Sequence, residues 1–506
     1  MNWYLCCVLQ TLGILEIQHM KKKHIGSGVL LIVTAVLVWL GYATTGHPSA
    51  LASHHYDQSP VRIDNVRLIS MVPDRPQVEE RSSVLVNDGI IIAIGKTGKL
   101  ITPLGIDESD LRVIDGNGST LLPGLIDAHV HLWDEAELAA YLAHGVTSIR
   151  NMSGMPFHLP LSRRIRDREI IGPDIVTTGP ILNGLGANTQ DNHQIVETAE
   201  AGRNAVRDHH ERGYRTLKIY SNLNRETYNA IRDEAIRLEM KMVGHTPEGV
   251  RAPGVPRQSP FDIPYDEILD DEFQTLEHIE TIVWHGLRDE LDEEKMEALA
   301  IAIQQSGTVV TPTLIAHESL VRTAKSNGVY LRRPGVEVLN PLIQRFESGN
   351  MSFWSNAPRH LLDHESKRSA FYRRATNMLQ ESGVPLITGT DAGVFTIIPG
   401  ASMTRELELL VASGLTPYEA LQAASVTAGP AINLPDRGQI APGFRANMIL
   451  VSGAPLKDIS IMEHPEAVMV GGVWLDKNDL AEIGEAAKQG STPRTARRLV
   501  EMWLTQ

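Results

Sequence analysis

The chain has 506 residues, of which 42% are hydrophobic, and a formal net charge of −14. This length allows a large core and at least two structural units. The acidic balance argues against a nucleic-acid partner, because phosphate binding needs clustered Lys and Arg. We therefore expect a small-molecule substrate. Both cysteines, Cys6 and Cys7, lie near the start of the chain, so a metal in the body must be bound by nitrogen and oxygen.

Residues 1–52 have the pattern of a signal peptide or an N-terminal membrane anchor. The basic run Lys21–Lys23 precedes the apolar run 28–43, which is shorter than the ~20 residues of a comfortable membrane span. Residues 50–52 offer a small-residue cleavage site, and Met20 is an alternative start to Met1. Positive charge before the apolar run predicts an exported body, periplasmic or extracellular, whether the segment is cleaved or kept as an anchor.

The two flanks of the chain predict one small β-sandwich domain. Short apolar runs fill residues 61–114, where Asp88 and Gly89 form a hairpin turn. Similar runs return only at residues 438–474. We assign residues 58–121 and 432–478 to this composite domain.

Residues 122–431 predict an α/β fold, the TIM (β/α)8 barrel. Eight apolar, β-rich runs alternate with helical stretches, which is typical of a closed parallel barrel. The eight runs span residues 125–131, 147–150, 174–178, 216–220, 241–245, 274–278, 309–313 and 386–391. Residues 247–272 read as a loop inserted at the barrel mouth. The tail 479–506 predicts an amphipathic helical segment that packs on its own or a neighbouring subunit, so a homo-oligomer is one expected state.

Metal ligands collect at the ends of these runs, where the chemistry of such barrels takes place. His129 and His131 lie two residues apart on one strand and face the same way. The later strands end with four more candidates, namely Lys218, His245, His278 and Asp391. A buried lysine loses its proton readily, and its neutral amine adds carbon dioxide to give an anionic carbamate with two oxygens. These residues together predict a metal centre.

The chain resembles the amidohydrolase superfamily, in the imidazolonepropionase-like branch that includes the binuclear prolidase-type peptidases. The resemblance runs from about Val61 to Trp474. It rests on the leader to the paired histidines (122–131), on Lys218 with Tyr220, on the later histidines, and on the runs 390–393 and 405–411.

The resemblance implies a role for each candidate residue. His129, His131 and Asp391 would hold one divalent ion and His245 and His278 a second, with carboxylated Lys218 and a hydroxide bridging them. We expect two Zn²⁺ ions, although manganese, iron and cobalt suit such ligands as well. Asp391 would act as general base, Tyr220 would stabilise the oxyanion or pack, and Arg150 would bind a substrate carboxylate or form a buried ion pair.

The resemblance implies a metal-dependent hydrolase of C–N bonds, and a dipeptidase of prolidase type is the favoured activity. Alternatives are a deaminase, a hydrolase of cyclic amides or lactones, and an inactive barrel that serves as a binding protein. All six ligand positions are kept, which argues against the inactive barrel. Asn151 and Asn447 depart from the family pattern, but neither is a predicted metal ligand, so the expected catalysis is unaffected. The stretch between His245 and His278 is longer than expected, so substrate specificity is the least transferable feature.

Overall fold

The computed structural model describes residue 41 and residues 46–101, 106–107, 109–250 and 259–505. The signal or anchor segment predicted at 1–52 lies mostly outside the described residues, and it stays a prediction. None of the helices in the described part of the chain combines the length and the apolar character needed to cross a bilayer.

The folded body begins before the boundary predicted at residue 52. A compact unit starts at His47. Leu51 has no exposed surface, and its carbonyl accepts a hydrogen bond of 2.8 Å from the Ile171 amide. Ala52 forms a bridge to Ile170. A cut before Ser53 would therefore remove a packed core residue.

One sheet joins the two flanks of the chain. The strands of this sheet are β1 (Val61–Leu68), β2 (Glu79–Asn87), β3 (Ile90–Lys96), β4 (Arg112–Asp115), β5 (Thr120–Pro123), β15 (Met448–Val451), β16 (Ala467–Val470) and β17 (Val473–Leu475). They run in the order β17-β16-β15-β5-β1-β2-β3, with β4 also paired to β1. The two flanks meet where β5 and β15 pair antiparallel and Leu122 lies opposite Ile449.

The barrel strands follow the predicted runs. They are β6 (Leu125–Val130), β7 (Val146–Asn151), β8 (Asp174–Thr177) with its continuation β9 (Ile181–Asn183), β10 (His193–Ile195), β11 (Thr216–Ile219), β12 (Lys241–Gly244), β13 (Thr275–Glu277) and β14 (Val309–Thr311). They pair as β6-β7-β8 and as β10-β9-β11-β12-β13-β14, with every pair parallel.

The eighth predicted run connects the last barrel strand to the first. Leu386 forms a parallel bridge to Val310 of β14, and Ala392 forms one to Val130 of β6. Between β8 and β11, the Gly179 amide donates to the Thr216 carbonyl over 2.9 Å. The α/β barrel with a β-domain built from both flanks is therefore confirmed.

Helices alternate with the barrel strands and cover them. The helices are α1 (Ala136–Ala143), α2 (His158–Arg166), α3 (Ala199–Glu211), α4 (Arg225–Arg237), α5 (Tyr265–Leu269), α6 (Ile279–Leu287), α7 (Glu293–Ser306), α8 (Leu314–Lys325), α9 (Pro341–Ser355), α10 (Arg359–Glu381), α11 (Ser402–Ala412), α12 (Pro417–Ala423), α13 (Ala428–Ala431), α14 (Lys477–Ala486) and α15 (Thr492–Thr505). The N-terminus of α12 is capped by Thr416 and Glu419, which form a reciprocal capping box.

A pair of valines tests whether the C-terminal flank contributes to the core. Val468 on β16 has no exposed surface, whereas Val113 on β4 is 53% exposed. We expect Val468→Ala to lower the free energy of unfolding by about 1.5–3 kcal/mol and Val113→Ala to change it by less than ~0.5 kcal/mol. Urea unfolding followed by circular dichroism measures both, and equal effects would contradict the packing described.

Candidate metal centre

The first barrel strand and the residue directly after it present two histidines to the barrel interior, because the extended chain alternates its faces. Ala128 and Val130 are fully buried on the opposite side. The eighth run is held against this strand, since the Asp391 amide donates to the His129 carbonyl over 2.8 Å and the His131 amide to the Ala392 carbonyl over 2.7 Å. Two backbone hydrogen bonds thus fix Asp391 beside both histidines.

His129, His131 and Asp391 form a compact donor set. One ligand atom from each lies within 4.8 Å of the others. Asp391 Oδ1 lies 3.0 Å from His131 Nε2 and 3.4 Å from His129 Nε2, yet this buried oxygen accepts no well-formed hydrogen bond from the described residues. A buried carboxylate oxygen facing two imidazole nitrogens fits a divalent cation.

The far side of His129 is held by a buried carboxylate. His129 Nδ1 lies 2.7 Å from Glu277 Oε2, and neither side chain is exposed. Burial raises the pKa of Glu277, but the charge of Arg150 and the hydrogen bond from His129 outweigh this and hold the pKa well below its ordinary value. An ionised Glu277 accepts the proton of Nδ1, so Nε2 keeps its lone pair for a metal.

Arg150 serves this carboxylate, and its assignment as a substrate-binding residue is corrected. Its guanidinium donates to the Ala128 carbonyl over 2.7 Å, to Thr275 Oγ1 over 2.9 Å and to Glu277 Oε1 over 2.7 Å. The side chain is 1% exposed. All three guanidinium nitrogens are therefore engaged within the barrel, which is the ion-pair alternative left open by the sequence.

The remaining three predicted ligands lie beside the first set. Lys218 Nζ is 3.5 Å from His129 Nε2. The His278 ring has its centroid 4.4 Å from that of His129 and 4.7 Å from that of His245. The structure thus brings all six predicted metal ligands to one end of the barrel.

Burial disfavours the protonated forms of the imidazoles and the amine in this cluster. Burial and the neighbouring Lys218 and His278 hold the pKa of His129 well below its ordinary value, and burial lowers the pKa of His278 to about 4. Burial also lowers the pKa of Lys218 to about 8. Neutral imidazoles and an easily deprotonated amine are the forms that bind metal or carbon dioxide.

The outer nitrogen of His278 is bound by Thr313. His278 Nδ1 lies 2.7 Å from Thr313 Oγ1, and that hydroxyl donates to the Pro312 carbonyl over 2.9 Å. Because the hydroxyl has one proton, it accepts from Nδ1, which leaves Nε2 unprotonated. His131 has a comparable partner, since its Nδ1 lies 3.0 Å from Ser153 Oγ.

Tyr220 and His193 form an aromatic layer over His245. The Tyr220 ring lies between them, with centroids 4.5 Å from His193 and 4.0 Å from His245. Burial, with the nearby charge of Asp391, raises the pKa of Tyr220, so its hydroxyl keeps its proton. His193 Nδ1 accepts from Asn183 and from the Gln190 amide, which places the ring proton on Nε2.

Sequence reasoning missed Glu277 and His193. A signal for Glu277 was present, because Arg150 inside a buried strand requires a buried anion. In a regular strand, Glu277 and His278 would lie on opposite faces. His278 departs from strand geometry, with a φ of 66°, so strand alternation does not predict where these two side chains lie. His193 lies beyond the third strand in a connection whose path the sequence does not reveal.

The comparisons with known proteins agree with this geometry. The family model described as "Amidohydrolase family" matches residues 120–475. The chain is 24% identical over 427 residues to an imidazolonepropionase of Geobacillus thermodenitrificans (strain NG80-2), covering 78% of this chain and 90% of the relative.

Two solved structures have the same fold. The bottromycin amidohydrolase structure has a TM-score of 0.68 at 22% identity and covers 90% of this chain and 96% of its own. A Xaa-Pro dipeptidase with bound methionine has a TM-score of 0.59 at 20% identity, over 83% and 100% of the two chains.

We expect Glu277→Gln to weaken metal binding by about 10–100-fold, because the amide no longer accepts strongly from His129 Nδ1–H and the imidazole becomes a poorer donor. Competition with a chromophoric chelator measures the affinity. The matched control is Glu267→Gln. Glu267 forms an ion pair with Arg225, and the two side chains are 50% and 42% exposed. This variant should bind metal normally. Equal affinities for the two variants would contradict the role of Glu277.

Proposed function

This chain belongs to the amidohydrolase family, an enzyme family of hydrolases acting on C–N bonds, and from this premise we propose that it cleaves a dipeptide, as a peptidase of prolidase type. The observation that supports the proposal most is Lys218, which is 1% exposed among the candidate metal-binding imidazoles. A buried amine there suits a carbamate between two cations, whereas centres with one metal ion need no such group.

We propose two divalent ions, with zinc as the first choice. His129, His131 and Asp391 would hold one, His245 and His278 the other, and Lys218 would serve both after its neutral amine adds carbon dioxide and loses a proton. Bound divalent cations lower the pKa of water and polarise a carbonyl.

The protein groups handle the proton and orient the substrate. Asp391 would take the proton that water loses on adding to the amide carbon, and it would return this proton to the departing amine nitrogen as the C–N bond breaks. Tyr220 is a protonated donor at the same end of the barrel, and among the described residues none hydrogen-bonds its hydroxyl. It would donate to the oxygen that gains negative charge.

His193 supports recognition of an anionic or carbonyl group. Burial lowers its pKa to about 3, so its Nε2–H acts as a neutral donor beside Tyr220. Two neutral donors flanking a cationic centre suit the carboxylate end of a dipeptide better than an aminated heterocycle.

Hydrolysis of a cyclic amide is the second candidate, and the imidazolonepropionase relative favours it. It would use the same ligands with a differently shaped pocket. Deamination and lactone hydrolysis follow as further alternatives. Export, membrane attachment and a homo-oligomeric state are proposals that rest on the sequence alone.

The first experiment is a dipeptide-library assay of the full chain with zinc and bicarbonate, read as released amino acids. We expect release, with Lys218→Ala lowering kcat/KM by more than about 100-fold because the group between the cations is lost. Lys241→Ala is the matched control, since Lys241 is exposed at the start of the neighbouring strand. A protein that binds two metal ions but releases no amino acid would overturn the dipeptidase proposal in favour of cyclic amides.

We expect Tyr220→Phe to lower kcat by about 100–1,000-fold while KM changes little, because an oxyanion donor acts mainly in the transition state. His193→Gln removes the ring that packs against Tyr220 and should raise KM instead. Steady-state kinetics on the best dipeptide separates the two effects. A normal kcat in Tyr220→Phe would assign the tyrosine to packing.

A further inference from the structure

The C-terminal helix α15 buries two arginines at the end of the barrel that carries the metal ligands. The side chains of Arg494 and Arg498 are 8% and 7% exposed. Their neighbour Arg497 faces solvent at 46% exposure and pairs with Glu501 on the same helix. Burial of two cations is costly unless they are fully paired, so the buried face of this helix is built for particular partners.

Those partners directly follow a candidate metal ligand in the chain. Arg494 pairs with Asp134, with Nε 2.7 Å from Oδ2, and with Glu135 at 3.2 Å. Arg498 pairs with Glu135 and donates to the Trp133 carbonyl over 3.0 Å. Residues 133–135 begin two residues after His131, which directly follows the first barrel strand, so both arginines anchor the exit of that strand.

Trp133 connects this anchor to both sides of the donor set. Its Nε1 donates to the Gly393 carbonyl over 2.9 Å, two residues from Asp391. Its ring stacks on the His131 ring at 18° with centroids 6.4 Å apart. A shift of Trp133 would therefore change the positions of His131 and Asp391 together.

Apolar packing and a second loop hold the helix in the same place. Leu499 and Met502 pack in one cluster with Trp133 and Ile343. Trp503 Nε1 donates to the Asp191 carbonyl over 3.0 Å, in the loop that leads into His193. The helix thus contacts two loops that carry candidate site residues.

We propose that Arg494 and Arg498 of the C-terminal helix are positioning residues that hold Trp133, and through it His131 and Asp391, in metal-binding geometry. The inference rests on the proposed function only in that the site binds a divalent cation. It makes the tail an active-site element, although it lies more than 100 residues after the last predicted ligand in the sequence.

The test compares neighbouring arginines in the full chain. We expect Arg498→Met to weaken zinc affinity by at least about 10-fold, in the range found when groups behind metal ligands are lost. Arg497→Met should leave zinc affinity within twofold of the original chain. Zinc titration against a chromophoric chelator measures the affinities, and circular dichroism checks that each variant is folded.

Hydrogen exchange in the metal-free protein gives a readout that requires neither activity nor metal. We expect faster exchange at the amides of residues 131–133 and 391–393 in Arg498→Met, with no change in Arg497→Met. Unchanged exchange and unchanged zinc affinity in a folded Arg498→Met would overturn the proposal. Weakened zinc binding in a chain that hydrolyses no dipeptide would leave this inference standing while the proposed activity fails.

Trp133→Phe keeps the inference testable if Arg498→Met does not fold. This variant removes the Nε1 bond to Gly393 and keeps an aromatic ring beside His131. We expect zinc affinity to fall by at least about threefold, at a cost typical of one hydrogen bond. Affinity equal to that of the original chain would overturn the connection from the helix to the donor set.

Discussion

The buried ion pair between Arg150 and Glu277 is the interaction on which the metal centre depends. A barrel interior is a poor solvent for charge, and an ion there needs an opposite charge and well-formed hydrogen bonds. Glu277 receives both from Arg150, and its other oxygen then orients His129. The strands therefore supply one ligand in a fixed orientation before any metal binds.

Two other histidines of the site have uncharged hydroxyl groups, rather than a carboxylate, as their hydrogen-bond partners. His278 is oriented by Thr313, and His131 has Ser153 as its neighbour. Each hydroxyl contacts the nitrogen that faces away from the cluster, so the inward nitrogen stays available. The rings of His129 and His278 stay neutral because burial lowers their pKa values. The result is a set of lone pairs and one buried carboxylate oxygen, Asp391 Oδ1, that accepts no well-formed hydrogen bond from the described residues, which suits cations from outside.

The two ends of the chain stabilise this centre from opposite directions. The flanking sheet joins β5 to β15 just before the first barrel strand begins, and thus fixes the start of the strand that bears His129 and His131. The C-terminal helix fixes the exit of that strand through its two buried arginines. A strand held at both ends keeps its side chains in one position, which metal coordination requires.

The sequence by itself determined the barrel, the joined flanks and the six candidate metal ligands. It could do so because strand alternation and recurrence of ligands at strand ends are local or periodic features. Only the tertiary structure decided the roles of Arg150, Glu277, His193 and the C-terminal arginines. Each of these acts through a contact between segments distant in the chain, as between Arg494 and Asp134, and such a contact leaves no periodic signal in the sequence. The buried position of Leu51 is of the same kind, since its packing against Ile171 depends on how the chain folds back.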